Sequence, residues 1–292
     1  MIFTEMTSLE LFREASSVLR NSGIEEPEKE VEILFSSLLN IEREELYGKN
    51  PLIGEKEYSR LLRAVTERAE GRPLQYIVGF VEFYGLRIFV GEGVLIPRPE
   101  TELLVDEVLG LKKRGYINDK AKVLDLCTGS GCIALCIAHE MKKAHVIGTD
   151  SSEAALSYAR RNMEHLGITN VDFLIADLFP ETVKVFDLIL SNPPYVKKED
   201  MDKLEPHVRM EPFEALYGGD DGLHFYRRII SGAKAYLKSG GFLVLEMGAG
   251  QAEEITTMAE KAGFTVFRTK KDLTGIERII VLRQGVGCRN SG

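Results

Sequence analysis

From residue 121 onward, short apolar runs of strand length alternate with segments of helix length, and this alternation restricts the fold more than any other feature of the chain. Strands are expected over 122–126, 145–149, 171–176, 186–190, 242–246, 264–268 and 278–282, with helices over 131–142, 152–166, 222–238 and 251–262. A parallel strand needs a crossover long enough to hold a helix, so the pattern implies a parallel sheet covered by helices on both faces. The link 269–277 is too short for such a crossover, and the last two strands are expected to run antiparallel. The expectation is an α/β, doubly wound, mostly parallel seven-stranded sheet.

The first part of the chain has a different period. Leu9, Phe12, Ala15 and Leu19 share one helical face; Val31, Leu34, Phe35, Leu38 and Leu39 form a second stripe, and Tyr58, Leu61, Leu62, Val65 and Ala69 a third. Pro27, Gly48, Pro51 and Gly54 punctuate them, and Gly71 and Pro73 stop the last. Residues 1–72 therefore read as helices only, a small bundle. Residues 73–99 read as a β-hairpin linker, with Tyr76, Ile77 and Val78 and the run 86–90 as its β-rich parts and Gly85 as its turn. Pro97 and Pro99 precede a helix expected over 100–114. The α/β domain then occupies 100–285, and 286–292 form a tail.

Charge and composition narrow the function classes. The net charge is −8 and the basic doublets are scattered, which argues against a protein that grips nucleic acid non-specifically. No apolar run approaches the ~20 residues of a membrane span, and the acidic first ten residues do not resemble a signal peptide. Cys127, Cys132 and Cys136 follow a C-x4-C-x3-C spacing without a CxxC pair, so they and Cys288 read as free thiols, no metal is expected, and a cytoplasmic setting fits.

Two motifs carry chemistry. The strand 123–126 runs into Cys127-Thr128-Gly129-Ser130-Gly131, and Gly129, Gly131 and Ala134 fit G-x-G-x-x-A. Asp150 ends the next strand, 21 residues after Gly129, where a carboxylate can accept both ribose hydroxyls of a nucleoside. Asp177, ending the third strand, or its adjacent backbone can meet an adenine amino group. A dinucleotide and S-adenosylmethionine both fit this far, and a plain tight turn is the bland alternative.

The second motif separates them. The strand 186–190 ends in Ser191-Asn192-Pro193-Pro194-Tyr195 at the sheet's carboxyl edge. Two consecutive prolines fix φ and hold the residues before them extended. The Asn192 side-chain oxygen and the Pro193 carbonyl can then take the two hydrogens of a planar NH2 group and aim its nitrogen at a sulfonium methyl. Tyr195 can pack its ring on the flat group. No nucleophilic residue or metal is needed.

At these residues the chain resembles the release-factor glutamine methyltransferases of the HemK/PrmC type, over nearly its full length. The matching stretches are Phe83-Tyr84-Gly85-Leu86, the run Ile-Pro-Arg-Pro-Glu-Thr-Glu at 96–102, the loop 124–131, the run 191–195, Glu211-Pro212 with Ala215-Leu216, and Gly218-Gly219 with Asp221-Gly222-Leu223. The resemblance implies a Rossmann-like class I methyltransferase with a helical N-terminal domain that helps hold a protein substrate. It implies S-adenosylmethionine as cofactor, held by Cys127 to Gly131, Asp150, Asp177, Leu178 and Asn192. It implies peptide chain release factors as partners, with the glutamine of a Gly-Gly-Gln loop held by Asn192, Pro193, Pro194 and Tyr195. A monomer with no direct nucleic-acid or membrane partner is expected. Cys127 stands where the family often has Gly, and Leu178 where some members have an aromatic. Glutamine methylation of a large-subunit ribosomal protein and N6-adenine methylation of nucleic acid are the alternatives; a dinucleotide oxidoreductase leaves the Asn-Pro-Pro-Tyr run unused. Glu246 reads as structural, His207 as a surface residue, and Arg98 and Glu100 as supports of either the pocket or the helix entry.

Overall fold

The computed structural model describes residues 6–181 and 185–285, so Cys288 and the tail lie outside the described residues. The chain divides into two compact units, Met1–Phe80 with Glu205–Met210, and Val81–Leu204 with Glu211–Gly292.

The first unit contains strand β1 (Met6–Thr7), helices α1 (Ser8–Asn21), α2 (Pro27–Leu34) and α3 (Arg43–Gly48), strand β2 (Leu52–Ile53), and helices α4 (Glu55–Ala69) and α5 (Leu74–Val78). Thr7 and Glu10 cap α1 reciprocally, each side chain meeting the other's backbone N–H. The stripes seen in the sequence form one core: Leu19, Val31, Leu34, Phe35 and Leu61 are fully buried together. Each such side chain contributes about 1.5–3 kcal/mol. Arg68 is buried beside them, its Nε and Nη2 donating to both Glu30 oxygens at 2.6 and 3.1 Å.

Two expectations fail here. β1 and β2 pair antiparallel, Met6 opposite Ile53, so the region is not helical throughout; two residues are too few to show a period of two. The β-rich triplet Tyr76, Ile77 and Val78 is the end of helix α5. Pro73 starts this turn and its carbonyl accepts from Tyr76 and Ile77, while Gly79 ends it at φ +87°. The Pro and Gly boundaries outweigh the β propensity between them.

The hairpin follows as β3 (Phe80–Phe83) and β4 (Leu86–Phe89), which form a two-stranded sheet. The second unit then runs α6 (Glu102–Lys113), β5 (Lys122–Leu126), α7 (Cys132–Glu140), β6 (His145–Asp150), α8 (Glu153–Leu166), β7 (Val171–Ile175), β8 (Phe186–Ser191), the short α9 (Phe213–Leu216), α10 (His224–Tyr236), β9 (Leu237–Glu246), α11 (Ala252–Lys261), β10 (Phe264–Lys271) and β11 (Glu277–Gln284). The sheet order is β10-β11-β9-β8-β5-β6-β7. All pairs from β9 to β7 are parallel, and β11 is antiparallel to both neighbours. β9 begins five residues earlier than expected: Gly240-Gly241 lies within the strand, beside a register shift against β8.

Leu124, Leu126, Ile189, Leu243, Leu245 and Ile280 alternate onto the face covered by α10 and α11. Their sequence neighbours turn to the opposite face, where α6 and α7 pack. The chain leaves β5 toward β6 and β7 in one direction and returns to β8 and β9 in the other. The reversal between β5 and β8 is the switch point at which open α/β sheets bind ligands, beyond the strands' carboxyl ends.

Candidate active site

A cavity of about 280 Å³ lies at that switch point. Its wall includes Cys127, Thr128, Gly129 and Ser130 after β5, Asp150 at the end of β6, Asp177 and Leu178 after β7, and Asn192 and Pro194 after β8. Val94, Thr101, Glu214 and Phe225 also border it. Among the described residues, the charged residues of the wall are Asp150, Asp177 and Glu214, with no Lys, Arg or His. Such a wall suits a ligand with cationic centres better than one with a pyrophosphate.

Asp150 holds the glycine loop. Its Oδ2 accepts from Gly129 N and its Oδ1 from Ser152 N, both at 2.9 Å. Burial raises its pKa, and these N–H bonds partly oppose the rise. Gly129 has φ +56°, and a Cβ there would meet only Val94, at 4.0 Å, so the bare backbone borders open space. Gly131 is not part of the wall. A Cβ on it would stand 2.9 Å from Phe173, so its role is the packing of α7's first turn.

Cys127 and Leu178 have φ of +56° and +68°, two of five non-glycine residues with positive φ among those described, and both border the cavity. Backbone strain of this kind gathers where a site dictates geometry. Burial pushes the Cys127 thiol well above its usual range, so it stays protonated. The Asp177 carboxylate is exposed and pairs with Arg228 at 2.8 Å, which leaves the neighbouring backbone as the part facing the cavity.

The Asn-Pro-Pro-Tyr run leaves β8 as irregular backbone. Ser191 Oγ donates to Leu126 O at 2.8 Å and fixes its root. The Asn192 Nδ2 donates to Thr101 Oγ1 at 3.1 Å, and among the described residues its Oδ1 has no partner. Pro193 is buried outside the wall. Tyr195 also lies outside it, with its ring against Gly248; burial and then the Glu246 charge push its phenol up to about 12.

The loop is clamped by Gln251, which the sequence reading did not single out, and by Gly218 and Gly222 of a stretch it did. Gln251 Nε2 donates to Tyr195 O at 3.1 Å and Gly222 O at 3.2 Å, and its Oε1 accepts from Gly248 N at 3.0 Å. Gly218 lies so close that a Cβ there would sit 2.7 Å from Tyr195 Cα. The Gly-Gly-x-Asp-Gly-Leu stretch is thus a wrapper of the Asn-Pro-Pro-Tyr loop. Glu211 similarly ties the Ile-Pro-Arg-Pro stretch: its buried carboxylate pairs with Arg98 and accepts from Ile96 N at 2.8 Å. Glu246, at the end of β9, is 2% exposed. Burial raises its pKa to about 7, while hydrogen bonding by Thr101 and the charge of Arg278 oppose the rise. Only proximity in the fold links Glu246, Thr101 and Asn192, so the sequence carries no local signal for the trio.

Known proteins match both parts of the chain. A family model described as the PrmC N-terminal domain matches residues 10–79, and one described as a methyltransferase domain matches 117–262. The release factor glutamine methyltransferase of Thermodesulfovibrio yellowstonii is 43% identical over 258 residues, which span 88% of this chain and 92% of that protein. That of Geobacter sulfurreducens is 41% identical over 270 residues, 91% and 93% of the two chains. A crystal structure of a methyltransferase from Pyrococcus furiosus superposes with a TM-score of 0.52 at 19% identity, over 80% of this chain and 100% of that one, and shares the fold. With two relatives above 40% identity along nearly their whole lengths, the chain belongs to the release factor glutamine methyltransferase family.

Proposed function

We propose that the protein transfers a methyl group from S-adenosylmethionine to the side-chain amide nitrogen of the glutamine in the Gly-Gly-Gln motif of peptide chain release factors. The observation that carries this reading is Asn192 Oδ1, which has no partner among the described residues, on a proline-stiffened loop bordering a cavity whose charged lining residues, among those described, are all acidic. The fit to the cofactor rests on that wall, since a sulfonium and an ammonium gain from carboxylates that would repel a pyrophosphate. When bound, the cofactor supplies an electrophilic methyl on a positively charged sulfur.

The protein's own groups do the rest. Asp150 accepts the ribose hydroxyls with the lone pairs that Gly129 and Ser152 leave unused. The backbone at Asp177 and Leu178 meets the adenine edge. Asn192 Oδ1 and the Pro193 carbonyl each accept one hydrogen of the glutamine NH2. An amide nitrogen is a poor nucleophile because its lone pair is delocalised, and two acceptors favour the positive charge that develops on it. Their fixed positions also remove the entropy cost of aligning nitrogen and methyl. The proton released from the methylated nitrogen passes to water. Residues 1–72 contribute the surface that holds the folded release factor, as the match to the PrmC N-terminal domain supports.

Mixing the protein with S-adenosylmethionine and purified release factor, then mapping methylation by peptide mass spectrometry, tests the reading. A single methyl on the Gly-Gly-Gln glutamine is expected. Methyl transfer to a ribosomal protein or an adenine-bearing nucleic acid, with none to the release factor, would overturn it.

A further inference from the structure

Asn162 on α8 is 0% exposed and lies outside the cavity wall, yet its amide is committed to three backbone groups that lead to that wall. Its Oδ1 accepts from Phe89 N at 2.7 Å, and its Nδ2 donates to Phe89 O and to Ser130 O, both at 3.0 Å. An N–H only donates and a carbonyl only accepts, so these partners admit a single orientation of the amide. Phe89 ends β4, just before the 93–97 segment that borders the cavity through Gly93, Val94, Leu95 and Pro97. Ser130 belongs to the glycine loop on the same cavity. We propose that Asn162 is a positioning residue for the cofactor: from outside the cavity it fixes the glycine loop and the 93–97 segment at the separation that S-adenosylmethionine requires. The proposal rests on the reading of this cavity as the S-adenosylmethionine site.

Helix α8 serves as the common support. Phe89 bonds to Asn162, Gly91 lies against Tyr158, and Gly93 lies against Ala154. The helix positions descend by four while the chain positions ascend by two. Four helical residues advance about 6 Å, and two extended residues about 6.6 Å, so the first two contacts keep step. A Cβ at Gly91 would collide with Tyr158 Oη, and one at Gly93 would stand 3.3 Å from Ala154 Cβ, so the backbone lies directly on the helix. Val94 N then donates to Gly91 O at 3.3 Å, and the chain turns at Gly93, φ +94°, into the cavity wall. The other end of α8 follows Ser152, whose N–H is held by Asp150, and Ser152 and Ala155 border the cavity. One helix therefore sets the distance between the carboxylate expected at the ribose and two further walls.

A wall that wanders must be ordered by the ligand, and affinity falls by the fraction of molecules already in the binding arrangement. The Asn-Pro-Pro-Tyr loop is pinned elsewhere, by Ser191 to Leu126 O and by Gln251 to Tyr195 O. Loss of Asn162 should thus act on cofactor binding and spare transfer once the cofactor is bound.

The test is calorimetric titration with S-adenosylmethionine, single-turnover transfer to release factor at saturating cofactor, and amide hydrogen exchange without ligand. Asn162→Asp keeps an acceptor for Phe89 N–H but sets an oxygen against two carbonyls; Asn162→Ser leaves a hydroxyl too short to span Phe89 and Ser130. Thermal melting shows that each is folded, and either one alone suffices. Affinity should fall by roughly tenfold, the scale of one buried hydrogen bond left for the ligand to replace. The saturated rate should stay within about threefold of wild type. Exchange should quicken at 90–97 and 128–131 and not in β8 or β9. Unchanged affinity in a folded variant would overturn the proposal. So would an equal fall in affinity and saturated rate, or exchange that quickens evenly over the sheet, since either marks a merely structural role. Failure of the wild-type protein to bind S-adenosylmethionine would instead overturn the reading beneath it.

Discussion

Removing the Asp150 carboxylate tests how the cavity holds a nucleoside. Each Asp150 oxygen already accepts one backbone N–H, from Gly129 and from Ser152, and each keeps a lone pair for a ribose hydroxyl. A hydrogen bond to a charged group contributes about 1.5–3 kcal/mol net, so Asp150→Ala should weaken S-adenosylmethionine binding by about 10–150-fold. Asp150→Asn is not a mild control. Its NH2 must face either Gly129 N–H or Ser152 N–H, donor against donor, so it should also bind at least about tenfold more weakly. Calorimetric titration with S-adenosylmethionine and S-adenosylhomocysteine measures both variants. The two ligands share the ribose, so their losses should match. A loss confined to S-adenosylmethionine would place the carboxylate at the sulfonium, and unchanged affinity for both would remove Asp150 from the site. NAD should not bind the wild-type protein.

Other substitutions probe strain, electrostatics and domain roles. Cys127→Gly should leave stability within about 1 kcal/mol, since relief of a positive φ offsets the added freedom of the unfolded chain; Cys127→Val should cost about 2 kcal/mol more, because a β-branched residue tolerates this conformation least, as chemical denaturation would show. Asp272 accepts from Thr274, Ile276 and Arg278, and these bonds, led by the Thr274 hydroxyl, hold its pKa far below the usual carboxylate range. Its stabilising contribution is therefore present above about pH 4 and lost as pH falls below that, so Asp272→Asn should lower the melting temperature at pH 7 and the gap should shrink in acid. A chain lacking residues 1–72 should bind S-adenosylmethionine within about threefold of the full protein yet methylate release factor poorly; full-rate transfer would refute a substrate role for that region.

The parallel sheet was legible because its strands are apolar runs bounded by Gly, Asp and Asn at the carboxyl edge. The glycine loop, Asp150 and the Asn-Pro-Pro-Tyr run are local motifs, and the fold brings Cys127, Gly129, Asp150, Leu178 and Asn192 to one cavity. The contacts that hold them are not local. Asn192 and Thr101 are 91 residues apart, Gln251 and Tyr195 56 apart, and Arg98 and Glu211 113 apart. No helical or strand period reports such pairs. The same limit hides the closeness of Gly131 to Phe173 and of the Tyr195 ring to Gly248. Local propensity misled in the opposite sense: the β-rich triplet before Gly79 concealed a helical turn.

The central claim is that Asn192 orients a glutamine amide without being needed for the nucleoside. Asn192→Ala removes that acceptor and leaves the Gly129 loop and Asp150 in place. Cofactor affinity should stay within about threefold of wild type, while single-turnover transfer to the release factor falls by about 10²–10³, the loss expected for one preorganised contact at a transition state. Transfer at the wild-type rate in Asn192→Ala, with the product still methylated on the Gly-Gly-Gln glutamine, would contradict the account.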